Sequence, residues 1–106
     1  MIRAGDLDRR ISLQRSTDEV DPVYGEARPV WSTFATVAAS VRQVSGREFL
    51  AATEQAGERR AVFVIRWRGD VTNTDRVAYL GEPFDIDDVR EIGRREGLEI
   101  HGRAIA

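Results

Sequence analysis

Apolar and polar positions alternate with a period of two along several stretches of the chain, the pattern of strands with one buried face. In "RRISLQRS", Ile11 and Leu13 alternate with Ser12 and Gln14. From Val30 onward, Trp31, Val37, Ala39 and Val41 are read on one face and Ala38, Ser40 and Arg42 on the other, predicting a long strand that bends or bulges near Val44. The clearest case is "RAVFVIRWR", in which Ala61, Phe63, Ile65 and Trp67 oppose Val62, Val64, Arg66 and Arg68. "RVAYL", "FDIDDV" and "LEIHGRA" follow, separated by turns at Gly81-Glu82-Pro83 and at Gly93 to Gly97, and the last places Leu98, Ile100, Gly102 and Ala104 on one side. These three predict an antiparallel meander. The expected fold is therefore mainly β, a small antiparallel β-barrel of about six strands, because closure removes the exposed edges of such a sheet.

Two stretches break the alternation. "TDEVDPVYGEARP", from Thr17 to Pro29, carries two prolines, a glycine and several acidic residues, and reads as a long exposed loop with a turn at Tyr24-Gly25. Ser45-Gly46-Arg47-Glu48 has the S-x-x-E spacing of a capping box, and good helix formers run from there to a stop at Gly57. The barrel is thus expected to carry one inserted short helix and long loops. Phe49 and Leu50 on that helix could cover one end of the barrel or project toward another subunit, and pattern alone leaves both open.

Composition narrows the function classes. A chain of 106 residues is expected to form one domain over residues 1–106, with one core. No apolar run reaches the length of about 20 residues that spans a bilayer, and Met1 to Asp6 does not resemble an export signal. The expectation is a soluble cytoplasmic protein that makes no membrane contact. Without cysteine, disulfides and thiolate metal sites are excluded. The net charge of -2 argues against a dedicated nucleic-acid binder, which needs a basic excess to displace counterions. Every basic residue other than His101 is arginine, a composition that fits a GC-rich genome and supplies guanidinium forks to polar interfaces.

Few residues offer chemistry. His101, the only histidine, falls beside Glu99 and Arg103 on a polar strand face, with no nucleophile motif to serve. Asp85, Asp87 and Asp88 form the densest carboxylate cluster, but the calcium-loop pattern is absent, and a solvated edge or an arginine-paired patch is the simpler expectation. No metal, cofactor or catalytic residue is assigned, and the chain is not read as an enzyme. Trp67 between Arg66 and Arg68 keeps one alternative, a small β-barrel that binds single-stranded nucleic acid.

The order of "RISLQR", "YGEARPVWSTFATVAASV", "SGREFLAA" and "VFVIRWRGDVTNTDRVAYLGEPFDIDDVREIGRREGLEIHGRA" resembles the head-tail joining proteins of tailed bacteriophages, also called head-tail adaptors, head-closure proteins or stoppers. The resemblance covers nearly the whole chain. Its most specific parts are Tyr24-Gly25 followed by Trp31, the Ser45 to Glu48 box, the Arg66 to Val71 stretch, and Gly81, Phe84, Ile86 and Val89 followed by Gly93-Arg94. It departs from the family in having Gly25-Glu26 where Gly-Gly is frequent, and in lacking lysine near the end. The resemblance implies a virion connector of a phage, prophage or gene transfer agent, assembled in the host cytoplasm and resident at the head-tail junction. It implies a homo-oligomeric ring that closes the portal channel after packaging, with the free protein monomeric. Expected partners are portal or adaptor proteins on the head side and tail terminator or tail proteins on the other, with genomic DNA passing unbound. Asp21, Tyr24, Gly25, Ser45, Arg47, Glu48, Phe49 and Leu50 are the expected partner-binding residues.

Overall fold

The structure, a computed structural model, describes residues 2–43 and 58–105. Six strands, β1 (Arg9–Val20), β2 (Ala27–Gln43), β3 (Glu58–Arg66), β4 (Arg76–Tyr79), β5 (Glu82–Ile92) and β6 (Gly97–Ile105), follow a 3-10 turn at Ala4–Asp6. They close into a barrel in the order β1-β2-β3-β6-β5-β4, with every pairing antiparallel. Three residue pairs between β1 and β4, from Ser12↔Ala78 to Gln14↔Arg76, complete the closure. The mainly β barrel and its C-terminal meander agree with the periodicity. The capped helix expected from Ser45 lies outside the described residues, as does the bulge expected near Val44.

The inward positions are those the alternation marks. Ile11, Leu13, Phe63, Ile65, Val77 and Ile100 are fully buried. Phe63 anchors them, meeting Tyr79 and Phe84 edge-on at centroid distances of 6.0 and 5.3 Å, the arrangement that aromatic quadrupoles favour. Gly102 faces this cluster: a Cβ there would lie 3.1 Å from Phe84 Cβ and 3.2 Å from Phe63 Cε2, so the absent side chain makes room for the rings. Trp67, just past β3, packs against the core rim beneath the Arg95 guanidinium, 4.9 Å from its ring centroid.

The first half differs from expectation in two ways. The supposed loop over residues 17–29 is mostly strand: β1 continues to Val20, β2 begins at Ala27, and only residues 21–26 form the turn. Beyond the barrel, β1 and β2 therefore continue as a two-stranded ribbon. Its backbone amides and carbonyls pair with each other, so it needs no buried face and shows no apolar alternation. Second, the register steps from Leu13↔Ala35 to Gln14↔Thr33, leaving Phe34 as an extra residue on β2. One inserted residue inverts the faces on one side of it, so Trp31 lies on the outer face, under Arg76, away from the face shared by Val37, Ala39 and Val41. A second bulge at Asp87 separates Ile86↔Gly102 from Asp88↔His101.

Candidate assembly surfaces

The turn that closes the ribbon is built around Asp21. Its Oδ1 accepts hydrogen bonds from the Val23 amide at 2.7 Å and the Tyr24 amide at 3.2 Å, while its carbonyl accepts from the Gly25 amide at 2.8 Å. Gly25 has φ of +71°, the left-handed region where a side chain would be strained. This scaffold holds Val23 and Tyr24 outward, 77% and 80% exposed, with Val20 beside them at 60%. Of the residues expected to bind partners, Asp21, Tyr24 and Gly25 thus form one rigid turn; Ser45, Arg47, Glu48, Phe49 and Leu50 lie outside the described residues. Gln43 and Glu58, which flank that second group in the chain, stand at the end of the barrel opposite the ribbon, because β2 runs 17 residues from the turn to Gln43.

The ribbon is fastened to the barrel by an ion pair that sequence reasoning missed. Arg15 on β1 donates from Nε to Asp75 Oδ1 and from Nη2 to Asp75 Oδ2, both at 2.9 Å. Arg15 Nη2 also reaches the Asp70 carbonyl at 2.5 Å, and the Thr72 amide donates to Asp75 Oδ2 at 3.0 Å. Asp75 is the one buried charged residue among the described residues. Burial pushes its carboxyl up, but the Arg15 fork and the Thr72 amide outweigh burial and hold it below the ordinary carboxylate value. The pair ties residues 70–75, which carry the chain from β3 across to β4, to the point where the ribbon leaves the barrel. The Arg15 guanidinium also lies over the Phe34 ring, 4.3 Å from its centroid. The only sequence signal is an aspartate directly before the strand that begins at Arg76.

Elsewhere the outer surface is a mosaic of arginine and carboxylate. Asp87, turned by its bulge, sits between Arg60 at 3.6 Å and Arg103 at 3.5 Å. Asp88 accepts from Arg90 Nε at 2.7 Å, and Asp70 accepts two bonds from Arg68; these hydrogen bonds lower both carboxyls. Of the two readings the sequence left open for this cluster, a solvated edge and an arginine-paired patch, Asp87 and Asp88 fit the second. His101 Nε2 lies 2.6 Å from Glu99 Oε1. Among the described residues no group of three His, Asp or Glu converges to hold a metal ion, and no helix is long and apolar enough to cross a membrane. The concavities are open and charged: one of about 380 Å³ is lined by Arg76, Glu82, Asp85 and Arg103. What this surface offers is rigid projections and charge, the elements of protein docking.

Residues 2–105 match the phage head completion protein family. The chain belongs to that family. A protein structurally similar to this family member, with a TM-score of 0.71 and 30% identity, is SF1141 from Shigella flexneri 2a, solved in solution; the match covers 97% of this chain and 96% of that one. A chain from the virion of a native gene transfer agent particle shares the fold at a TM-score of 0.70 and 22% identity, over 93% of this chain and 94% of that one. No curated protein matches the chain. As a head completion protein it has a structural role in a phage-like particle, in keeping with a surface of projections and ion pairs.

Proposed function

We propose that the protein joins the DNA-filled head to the tail, as a ring of copies that closes the portal channel after packaging and offers the surface on which the tail docks. The observation that carries this reading, beyond family membership, is that the turn presenting Val23 and Tyr24 and the strand ends flanking residues 44–57 stand at opposite ends of the barrel. The Asp21 to Gly25 turn projects from one end of the barrel, and Gln43 and Glu58 stand at the other. A subunit that offers surfaces at both ends of its barrel can bridge the proteins above and below it. In this arrangement portal or adaptor proteins meet one end and tail proteins the other, while genomic DNA passes without specific binding.

Neighbouring copies in a ring use two different surfaces on each subunit, a heterologous contact that closes by rotation. Electron microscopy of particles from a producing host that lacks the gene tests the reading. Free tails beside heads that have packaged and leaked their DNA are the expected result. Normal intact particles would overturn it.

A further inference from the structure

The outer ribbon is strongly acidic. Between Asp18 and Arg28 it carries Asp18, Glu19, Asp21 and Glu26 against a single cation, a net of -3. Its strands are open on both sides: β1 pairs with β4 no further than Gln14, and β2 pairs with β3 only from Ala39. Open edges with exposed apolar residues at Val20, Val23 and Tyr24 are an association hazard for a free chain. They are well suited to a surface that is covered on assembly.

The opposite charge lies on the outer face of β1, β2 and β3. Arg10 stands across from Ala38, and one step beyond the Ala39↔Ile65 pair the same row meets Arg66. At the spacing of neighbouring strands, Arg10 and Arg66 flank Ala38 about 10 Å apart. Arg42, across from Val62, follows four residues along β2, about 13 Å away. Between them lie Ala38 and Ser40 on β2, small and uncharged, and on β3 the half-buried Val64 and the buried Val62; Ser12 and Thr36 continue the small uncharged positions on the other side of Arg10. Arg10, Arg42 and Arg66 are exposed, and their guanidinium groups make no ion pair with the described residues, although most arginines on the neighbouring strands do. A strip of small and apolar residues bordered by three available cations is thus a counterpart to a narrow acidic ribbon.

We infer that the acidic flanks of the β1–β2 ribbon of one copy, Asp18, Glu19 and Glu26, dock on the Arg10, Arg42 and Arg66 face of the next, that this contact links subunits around the ring, and that the Val23-Tyr24 tip stays available to the proteins at that end. The inference rests on the ring proposed above and names its interface. The two patches are different surfaces of one chain, so the contact is heterologous and propagates from copy to copy. Complementary charge fixes the register and penalises the reversed pairing of ribbon with ribbon.

Charge reversal in the producing host tests it. Arg10→Glu, Arg42→Glu and Arg66→Glu together, or Asp18→Arg, Glu19→Arg and Glu26→Arg together, should each lower the yield of joined particles about tenfold or more, the effect of a contact weakened by at least 1.4 kcal/mol. Combining the two sets should restore most of the yield. Circular dichroism and melting of each purified variant establish that it folds. Folded variants with no loss, or with loss that the combination fails to repair, overturn the inference. A second readout exploits the absence of lysine: in particles, the amine introduced by Arg10→Lys should be joined by carbodiimide to a carboxylate between Asp18 and Glu26 of another copy. Mixed particles of isotopically light and heavy chains distinguish that link from one within a chain, and its absence from joined particles overturns the inference. Normal particles from the gene-deleted host would instead overturn the head-tail reading itself, so the two failures are distinguishable.

Discussion

Two residues show where the fold concentrates its constraints. Asp75 has its carboxylate almost wholly removed from water, with a side chain 1% exposed, whereas Arg15 is 45% exposed and still reaches solvent. Replacing Asp75 by Asn keeps the shape but removes the charge that two guanidinium hydrogen bonds require, and should cost about 2 kcal/mol, the scale of hydrogen bonds to a charged group. The pH dependence has a definite sign. The native carboxyl titrates below its unfolded value, so its stabilisation is fully present above the ordinary carboxylate range near about pH 4 and is lost as pH falls through the lower native value. Urea midpoints should therefore separate wild type from Asp75→Asn at neutral pH and converge in strong acid. Leu80 presents the reverse case. It sits at φ +52° in the two-residue turn before Gly81, at +78°, and is 84% exposed. A turn with both central residues at positive φ favours Asn-Gly, and the left-handed region costs an ordinary residue about 1–2 kcal/mol. Leu80→Asn should raise the melting temperature by a few degrees, about 4–8 °C per kcal/mol at this size. A fall would mean that the leucine side chain stabilises the turn through contacts that asparagine cannot make.

At the scale of elements, legibility followed burial. β3 and β6 alternate because one face of each lines the core, and the positions marked from sequence, Phe63, Ile65, Leu98 and Ile100, are buried. The ribbon lacks such a face. Its ladder, from Arg15↔Ser32 to Val20↔Ala27, is made by backbone groups, which proline, glycine and acidic composition conceal, so it read as loop. Phe34 left no trace either: a bulge is a step in pairing register, and the same hydrophobic residues fit either side of it. Asp75 was hidden for a related reason, since its partner Arg15 lies 60 residues away. The capping box at Ser45 to Glu48 lies outside the described residues. The open ribbon also separates folding from function. Val23 and Tyr24 contribute nothing to the core, so Val23→Ser with Tyr24→Ser should shift stability by no more than about 0.5 kcal/mol, as surface changes do. The same variant should fail to produce joined particles. Unfolding of the purified variant would instead make the turn part of the barrel's stability.

At the scale of the whole molecule, the function was legible only as an order of motifs, because a connector works through surfaces and leaves no catalytic spacing to find. Those surfaces also constrain the free state. A ribbon resting on a strip of arginines gains from charges that remain near water, where a single ion pair contributes about 0–1 kcal/mol and salt screens it. One such contact cannot hold two copies together at micromolar concentration, which requires about 8 kcal/mol. A ring differs because a partner ring already in the particle holds each copy in place, and the second contact then forms at high effective concentration. The free protein should accordingly sediment as a monomer at micromolar concentration, at low as well as moderate salt. Weak neighbour contacts also prevent open-ended chains from growing before a template exists, the usual risk of a heterologous interface. A stable ring in sedimentation experiments on the isolated protein would show that the neighbour contact is strong in itself, and that assembly on the connector is not what closes it.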